Sequence, residues 1–272
     1  MADEPDFVTV QNSSLQTWSF YARLMQLGAA ATTAPDPGLG SQFFWAGALD
    51  ATGRSLVVAA NVAGAATLAA ASHPDARRQA VRDGIVDFLV TSLDEALRIL
   101  KNELRKHATV AVCVGAPLEV VEREMAERGV QPDLFREVVT RSDQTSALPS
   151  AKAADPEMDP AGVAALVAWR VDSAPAQWLP RLDTLALDCL APEELVARRW
   201  VLRASRYLGR IGHAGHLVSS TREFAARFIE RVRSEAACGA INVRGEIEIT
   251  WKGATDQIFF GPDSSSESNP QG

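Results

Sequence analysis

The stretch of this sequence most suggestive of chemistry is a short turn between two apolar segments. Residues 49–54 read LDATGR, and they lie between an apolar run and a helix-like series of small residues. A strand, a tight turn and a helix in this order are typical of nucleotide-binding units, because free N–H groups at the start of the helix can hold phosphate. Such turns carry several glycines, whereas this one carries only Gly53.

Three further side chains of the turn bear on anion binding. Thr52 and Arg54 could donate hydrogen bonds to an anion, whereas Asp50 would repel it unless it points away or pairs with Arg54. We expect an open but shallow anion pocket in which Arg54, Thr52 and the first amides of the helix hold the ligand. The alternative is a sealed turn that Arg54 folds over and closes.

Short apolar segments alternate with helical patterns around this turn. We predict strands at 42–48, 65–70, 85–90 and 109–115, and helices at 15–30, 55–63, 75–83, 92–106 and 118–129. Thr91 or Ser92 supplies a hydroxyl cap for the fourth of these helices. The alternation predicts an α/β fold of the Rossmann-like type, with helices on both faces of a parallel sheet.

The pattern changes in the second half of the chain. Residues 142–160 are mostly small and polar and indicate a linker, and helical patterns follow at 192–209 and 220–237. Residues 241–251 alternate apolar and polar side chains, as a strand or hairpin does. We therefore expect an N-terminal helix and loop (1–41), a Rossmann-like domain (42–150), an α-rich C-terminal cap with a hairpin (151–262) and a disordered tail (263–272).

Composition limits the partners and the compartment. The 34 acidic and 27 basic residues give a net charge of -7, which argues against nucleic acid or an anionic membrane surface as the main partner. Three widely spaced cysteines argue against a disulfide framework and fit a reducing cytoplasm. The acidic first residues lack the apolar run of a signal peptide, and no apolar stretch is long enough to span a bilayer.

Three other segments contain residues that could carry chemistry. His213 and His216 are three residues apart, but no third ligand has an obvious spacing, so we assign no metal site. Cys113 lies in an apolar run with no cation flanking it, which indicates a buried, unreactive thiol. The basic and aromatic segment 198–210 is interpreted as a solvated or subunit-facing helix, since its arginines and aromatic residues do not alternate.

Several motifs, in order, resemble the urocanase family. Residues 46–72, AGALDATGRSLVVAANVAGAATLAAAS, lie without a gap over the first βα unit of that family, and IVDF (85–88) and TSLDEAL (91–97) follow at the same distance. ERGVQPDL (127–134) is similar to the family's R-R-G-V-R-P-D-L, and DQTSA (143–147) to its D-Q-T-S-A-H-D. A weaker likeness covers a helical segment and GEIEI after residue 220.

The resemblance implies a cofactor and the residues that would contact it. The family is the NAD-dependent urocanate hydratase, a lyase of histidine breakdown. The positions that match its NAD-contacting stretches are Asp50, Thr52, Gly53, Arg54, Gln144, Thr145, Ser146 and Ala147. The departures are substantial. Of the glycines in the turn Gly53 alone remains, the acidic residue for the adenosine ribose falls on Ala71, and the histidine after residue 147 is Leu148.

The family's catalytic motifs are also missing from these 272 residues. Neither Y-G-N-N-I-R nor F-C-x-G-x-G-P-F-R-W occurs, and the chain is short for the family's long middle section. We assign no catalytic residue and expect a urocanase-like protein with a degenerate, weak NAD-type site. It would lack urocanate hydratase activity and act in binding a small anionic ligand or nucleotide, or in regulation.

Two alternatives stay open at this point. The chain could be a lyase or hydratase subunit whose catalytic half is supplied by another chain. It could instead be an enzyme on another small substrate, with a site built from Asp50, Thr52, Gln144, Ser146 and His213 at the carboxyl ends of the strands. We expect a homo-oligomer or a complex with a partner subunit.

Overall fold

The structure, a computed structural model, describes residues 7–29, 38–141 and 164–262. The chain divides into two compact units, the first formed by residues 1–144 and 203–212 and the second by 145–202 and 213–272. This geometric division does not test the domain boundaries given above, which stay a prediction. In the described ranges, every helix is too short or too polar to cross a membrane.

The first unit is built on a parallel five-stranded sheet, which confirms the Rossmann-like α/β fold. Its strands are β1 (Phe43–Ala48), β2 (Ala66–Ala70), β3 (Phe88–Val90), β4 (Val110–Val114) and β5 (Leu134–Phe135). They lie in the order β3-β4-β2-β1-β5. Strands β2 and β4 are buried throughout, as expected of continuous apolar runs in a sheet covered on both faces.

Six helices accompany this sheet. They are α1 (Phe7–Ala29), α2 (Ala51–Ala63), α3 (Pro74–Arg82), α4 (Leu93–Arg105), α5 (Leu118–Glu127) and the single-turn α6 (Arg136–Thr140). Helix α2 is buried along most of its length because its side chains are small and apolar, and α1 packs against it. Helix α4 buries Leu93, Ala96 and Leu100 against the sheet, while its charged residues face out.

Several boundaries differ from the predicted ones for local reasons. Helix α2 begins at Ala51 rather than near residue 55, because the Asp50 side chain caps it. Strand β3 is shorter than predicted, because the N–H groups of Ile85 and Val86 bond to the carbonyl oxygen of Ala80 at the end of α3. At α4, Ser92 is the capping residue and accepts the Glu95 N–H at 3.3 Å.

The second unit contains a four-stranded antiparallel sheet with the order β7-β6-β8-β9. Its strands are β6 (Ala165–Val171), β7 (His216–Ser220), β8 (Gly245–Trp251) and β9 (Ala254–Phe260). The remaining helices are α7 (Pro175–Cys189), α8 (Leu195–Tyr207), α9 (Arg210–Ala214) and α10 (Arg222–Ala237), and the division between units passes through α8 and α9. The strand or hairpin predicted at 241–251 corresponds to β8, and β9 pairs with it beyond that range. Elements β6, α7 and β7 were not predicted.

An aromatic cluster forms the core of the second unit. The rings of Trp169 and Phe228 lie 5.2 Å apart edge to face, and Phe224 stacks on Phe228 at 5.7 Å. Burial of aromatic rings in this geometry stabilises the packing of α10 on the sheet. The helices expected in the C-terminal region are therefore present, and they cover a sheet.

Candidate functional site

The turn after β1 lies where the strand order of the sheet changes direction. Strand β1 leads through α2 to β2 on one side, and β5 lies on its other side. In open α/β sheets, ligands bind in the crevice outside the carboxyl ends of the strands at such a point. Here the crevice is bordered by residues 49–53 after β1 and by Arg136 after β5.

The first amides of α2 are occupied by a carboxylate of the chain itself. Asp50 has an extended backbone, and its Oδ1 accepts the N–H of Gly53 at 2.7 Å. The bond satisfies one of the free donors that every helix leaves at its start. A phosphate bound at this helix would use the same donors. The Asp50 carboxylate therefore takes the place that the phosphate of a bound nucleotide would need.

A cation from the other side of the crevice contacts the same carboxylate. Arg136 Nη2 donates to Asp50 Oδ2 at 3.0 Å and to Oδ1 at 3.3 Å, and its Nη1 donates to the carbonyl oxygen of Ala48 at 3.0 Å. The Arg136 side chain is 22% exposed and that of Asp50 is 53% exposed. The guanidinium thus bridges the end of β1 and the start of α6, across the crevice.

These contacts keep the Asp50 carboxylate ionised. Partial burial acts to raise the pKa of Asp50, but the Gly53 N–H, the Arg136 guanidinium and the Thr52 N–H together outweigh it. The net effect holds the pKa below its usual value of 3.8. Asp50 is therefore ionised at neutral pH, and a phosphate would have to separate it from Arg136 and from the Gly53 N–H to reach the start of α2.

Gly53 is required here by packing alone. A Cβ at this position would lie 1.9 Å from the carbonyl oxygen of Ala48. Only a residue without a side chain allows the start of α2 to pass so close to the end of β1, which is one of the recognised roles of glycine in this kind of turn. Its presence therefore does not require a ligand.

Arg54 points to a different part of the unit. It forms an ion pair with Asp83, which follows α3, and Asp83 also accepts from Gln79 Nε2 at 2.7 Å. The pair borders a separate cavity of about 260 Å³, whose lining includes Ser13 and Thr17 of α1. The expected role of Arg54, as anion ligand or as cover of the turn, is not the observed one, because Asp83 holds its guanidinium.

Of the remaining predicted site residues, only Thr52 lies within the described part of the chain, where it is half-buried in the first turn of α2. Gln144, Thr145, Ser146 and Ala147 lie outside the described residues, so their part in the site stays a prediction. Arg136 was missed, because β5 has only two residues and gives no periodic signal; an arginine directly after the segment QPDLF was the available clue.

The Cys113 thiol is buried in β4, as predicted. Burial raises its pKa to about 11, and the charge of Arg77 on α3 partly offsets this effect. The expectation that no cation lies near this thiol is wrong, because α3 brings Arg77 to the end of the neighbouring strands. The tertiary contact has no counterpart in the residues that flank Cys113 in sequence.

The two histidines lie on different elements of the second unit. His216 begins β7, and its Nδ1 lies 2.7 Å from Asp183 Oδ1, which also accepts from Trp169 Nε1 at 3.1 Å. His213 lies on α9. Among the described residues no three His, Cys, Asp or Glu side chains are grouped as a metal site would require.

Comparison with protein families supplies the identity of the first unit. Residues 25–154 match the family model of the urocanase Rossmann-like domain. The chain carries a urocanase Rossmann-like domain. The resemblance to the urocanase family, drawn above from motifs between residues 46 and 147, is thereby confirmed. The match does not extend to the weaker likeness after residue 220, which stays a prediction.

The urocanase match also identifies what the crevice would hold in the family. In the urocanase family this domain is NAD-binding, and the turn after β1 is the segment expected to meet the pyrophosphate of that cofactor. As arranged in this chain, the turn does not fit that group, because the Gly53 N–H already bonds to Asp50 and Arg136 is paired with the same carboxylate.

Proposed function

We propose that this urocanase-type domain has a dinucleotide site closed by its own side chains, so that NAD binds only weakly. The observation that carries the proposal is the position of Asp50 between the Gly53 amide and Arg136. A pyrophosphate that reaches α2 must displace a carboxylate held by the Gly53 N–H and by Arg136, and partly exposed contacts of this kind contribute about 1 kcal/mol each. Loss of both corresponds to roughly tenfold or more in affinity.

Weak binding fits a role in sensing or regulation better than a role in holding a resident cofactor. The occupant that the crevice would accept is a small anion or a nucleotide able to compete with Asp50 for the amides and for Arg136. When such a ligand displaces the carboxylate, the Arg136 guanidinium becomes available to it. The ligand would therefore exchange one ion pair for another, which makes binding reversible and sensitive to ligand concentration.

We further propose that these 272 residues do not hydrate urocanate. Neither catalytic motif of the family occurs in them. Burial raises the pKa of Cys113 to about 11 and also raises that of Cys189, so neither thiol is suited to react at neutral pH. A link to histidine metabolism, a reducing cytoplasmic setting and a homo-oligomer or partner subunit complete the proposal as expectations.

Calorimetric titration with NAD⁺ tests the closed site. We expect a dissociation constant in the high micromolar range or weaker for the unsubstituted chain, and a tightening of about tenfold or more for Asp50→Gly. Asp50→Asn keeps a capping side chain without the charge and should lie between the two. Asp94→Asn is the matched control, because Asp94 is another carboxylate at the start of a helix, α4, and is likewise paired with an arginine, Arg128.

Three results would contradict the proposal. One is NAD⁺ that remains bound at near-equal stoichiometry when the unsubstituted protein is purified. Another is equal NAD⁺ affinity of the unsubstituted chain and Asp50→Gly, with thermal unfolding showing both to be folded. An Asp94→Asn variant that tightened binding as much as Asp50→Gly would also contradict it, because the effect would then be one of overall charge.

A further inference from the structure

The carboxyl end of β2 lacks an acceptor for a ribose. Residue 71, directly after the strand, is alanine, and its N–H donates to the carbonyl oxygen of Val114 at 3.0 Å. This bond puts Ala71 beside the end of β4. In doubly wound folds a carboxylate near the end of the second strand accepts hydrogen bonds from the adenosine ribose hydroxyls. The methyl group of Ala71 cannot do so.

A positive charge lies at the same edge of the sheet. Arg77, near the start of α3, brings its Nη1 so close to Gly115, the residue after β4, that a Cβ added there would be 1.8 Å away. Gly115 is in turn bonded to the end of β3, since its N–H donates to Val90 at 2.9 Å. The guanidinium therefore lies over the carboxyl ends of the strands, and Gly115 leaves room for it.

The charge of Arg77 has no partner in the described part of the chain. Its half-buried side chain forms neither an ion pair nor a hydrogen bond there. Two carboxylates of neighbouring turns are paired elsewhere, Asp75 with Arg78 and Asp94 with Arg128. A partly exposed guanidinium that has no carboxylate partner is available to an anion that reaches the ends of these strands.

We propose that Arg77 recognises a phosphate monoester on the adenosine ribose, so that the domain prefers a 2′-phosphorylated dinucleotide to NAD. The chemistry follows the general rule for these folds, in which an arginine beside the second strand accommodates the 2′-phosphate and the carboxylate is absent. The exposed hydroxyl of Ser72 lies next to Ala71 in the same turn and supplies a second donor. The inference rests on the proposed function, because the rest of the nucleotide would enter the crevice closed by Asp50.

The preference is measured by titrating NADP⁺ and NAD⁺ into the full chain carrying Asp50→Gly. This substitution should tighten the binding of both dinucleotides enough for their dissociation constants to be compared. NADP⁺ should bind roughly tenfold to a hundredfold more tightly. Adding Arg77→Gln should abolish the difference, whereas Arg78→Gln, a substitution of the adjacent and exposed arginine, should preserve it. Thermal unfolding verifies that each variant is folded. Equal affinity for the two dinucleotides, or a preference that survives Arg77→Gln, would overturn the inference.

Small fragments separate this inference from the proposal on which it rests. 2′-AMP, 5′-AMP and inorganic phosphate are titrated into the chain with Asp50 intact, because 2′-AMP does not need the amides of α2. Tighter binding of 2′-AMP than of the other two, lost in Arg77→Gln, supports the role of Arg77 even if Asp50→Gly fails to tighten NAD⁺. Equal binding of 2′-AMP and 5′-AMP overturns that role while the Asp50 result stands. Inorganic phosphate binding as tightly as 2′-AMP would make this a site for free phosphate and overturn the nucleotide preference.

Discussion

Arg136 and Asp50 are joined across the crevice between the ends of β5 and β1, with Nη2 3.0 Å from Oδ2. The same carboxylate accepts the Gly53 N–H, so a single side chain caps α2 and neutralises a cation from the far side of the crevice. Both groups are partly exposed, and solvent screens their attraction. The significance of the pair therefore lies in what it excludes from the crevice more than in the stability that it adds.

Replacing the cation tests whether Arg136 only closes the crevice or also serves an incoming ligand. Arg136→Gln should destabilise the fold by about 1 kcal/mol or less, because an exposed ion pair and one bond to Ala48 are lost. NAD⁺ binding should weaken further, since Asp50 remains on the amides and the available cation is gone. Denaturant unfolding and calorimetry measure the two effects. Tighter NAD⁺ binding by Arg136→Gln would show that the arginine acts only as a barrier.

The lowered pKa of Asp50 sets the direction of a pH effect. A carboxyl whose pKa is lower in the folded state than in the unfolded state adds stability above its usual value of 3.8 and loses that contribution as the pH falls below it. The unsubstituted chain should therefore be more stable than Asp50→Asn at pH 7, by at most about 1 kcal/mol because solvent screens the pair. The difference in unfolding free energy should shrink progressively as the pH falls below 3.8. A difference that grows as the pH falls would contradict the assignment.

The close approach of α2 to β1 predicts a large cost at one glycine. Gly53→Ala would place a Cβ 1.9 Å from the carbonyl oxygen of Ala48, and the forced shift should destabilise the protein by about 1–3 kcal/mol. Thr52→Ala is the control, because it changes the neighbouring residue of the same turn without a clash. Thermal or denaturant unfolding of both variants gives the comparison. Equal stability of Gly53→Ala and the unsubstituted chain would mean that α2 can move away from β1 at no cost, and would contradict the close contact.

The sequence carried enough information for the sheet and too little for the closed site. Continuous apolar runs at β2 and β4 and the hydroxyl cap at Ser92 act locally, so pattern and spacing predicted them. The partners of Asp50 and Arg54 depend on which distant residues the fold brings near: Arg136 follows a two-residue strand, and Asp83 lies at the end of a helix 29 residues away in sequence. Neither has a periodic signal.

The second unit shows the same limit at the level of whole elements. The period-two alternation of residues 241–251 predicted a strand or hairpin where β8 forms, whereas β9 and β6 were missed. Strand β6 pairs with β7 and β8, which are far along the chain, and these non-local partners determine its conformation. Helix α7 was also missed, because it contains Pro180 and a proline in the interior of a segment normally indicates that the segment is not a helix.

The missing catalytic motifs lead to a direct prediction of activity. The purified chain should not consume urocanate, with or without added NAD⁺, since neither family motif occurs in its 272 residues. The measurement is the loss of urocanate absorbance over time. A rate proportional to the protein concentration would contradict the prediction, and a rate that appeared only with a second chain present would favour the partner-subunit alternative.

The Gly53 amide reports on the closed site most directly, because it is the donor that the Asp50 carboxylate occupies. Its ¹H–¹⁵N resonance can be followed while inorganic pyrophosphate is titrated into the ¹⁵N-labelled chain. We predict no saturable shift of this resonance at micromolar pyrophosphate in the unsubstituted chain. In Asp50→Gly the resonance should shift saturably, at pyrophosphate concentrations about tenfold or more below those that the unsubstituted chain requires. A saturable shift at the same micromolar concentrations in both proteins would show that Asp50 does not close the site.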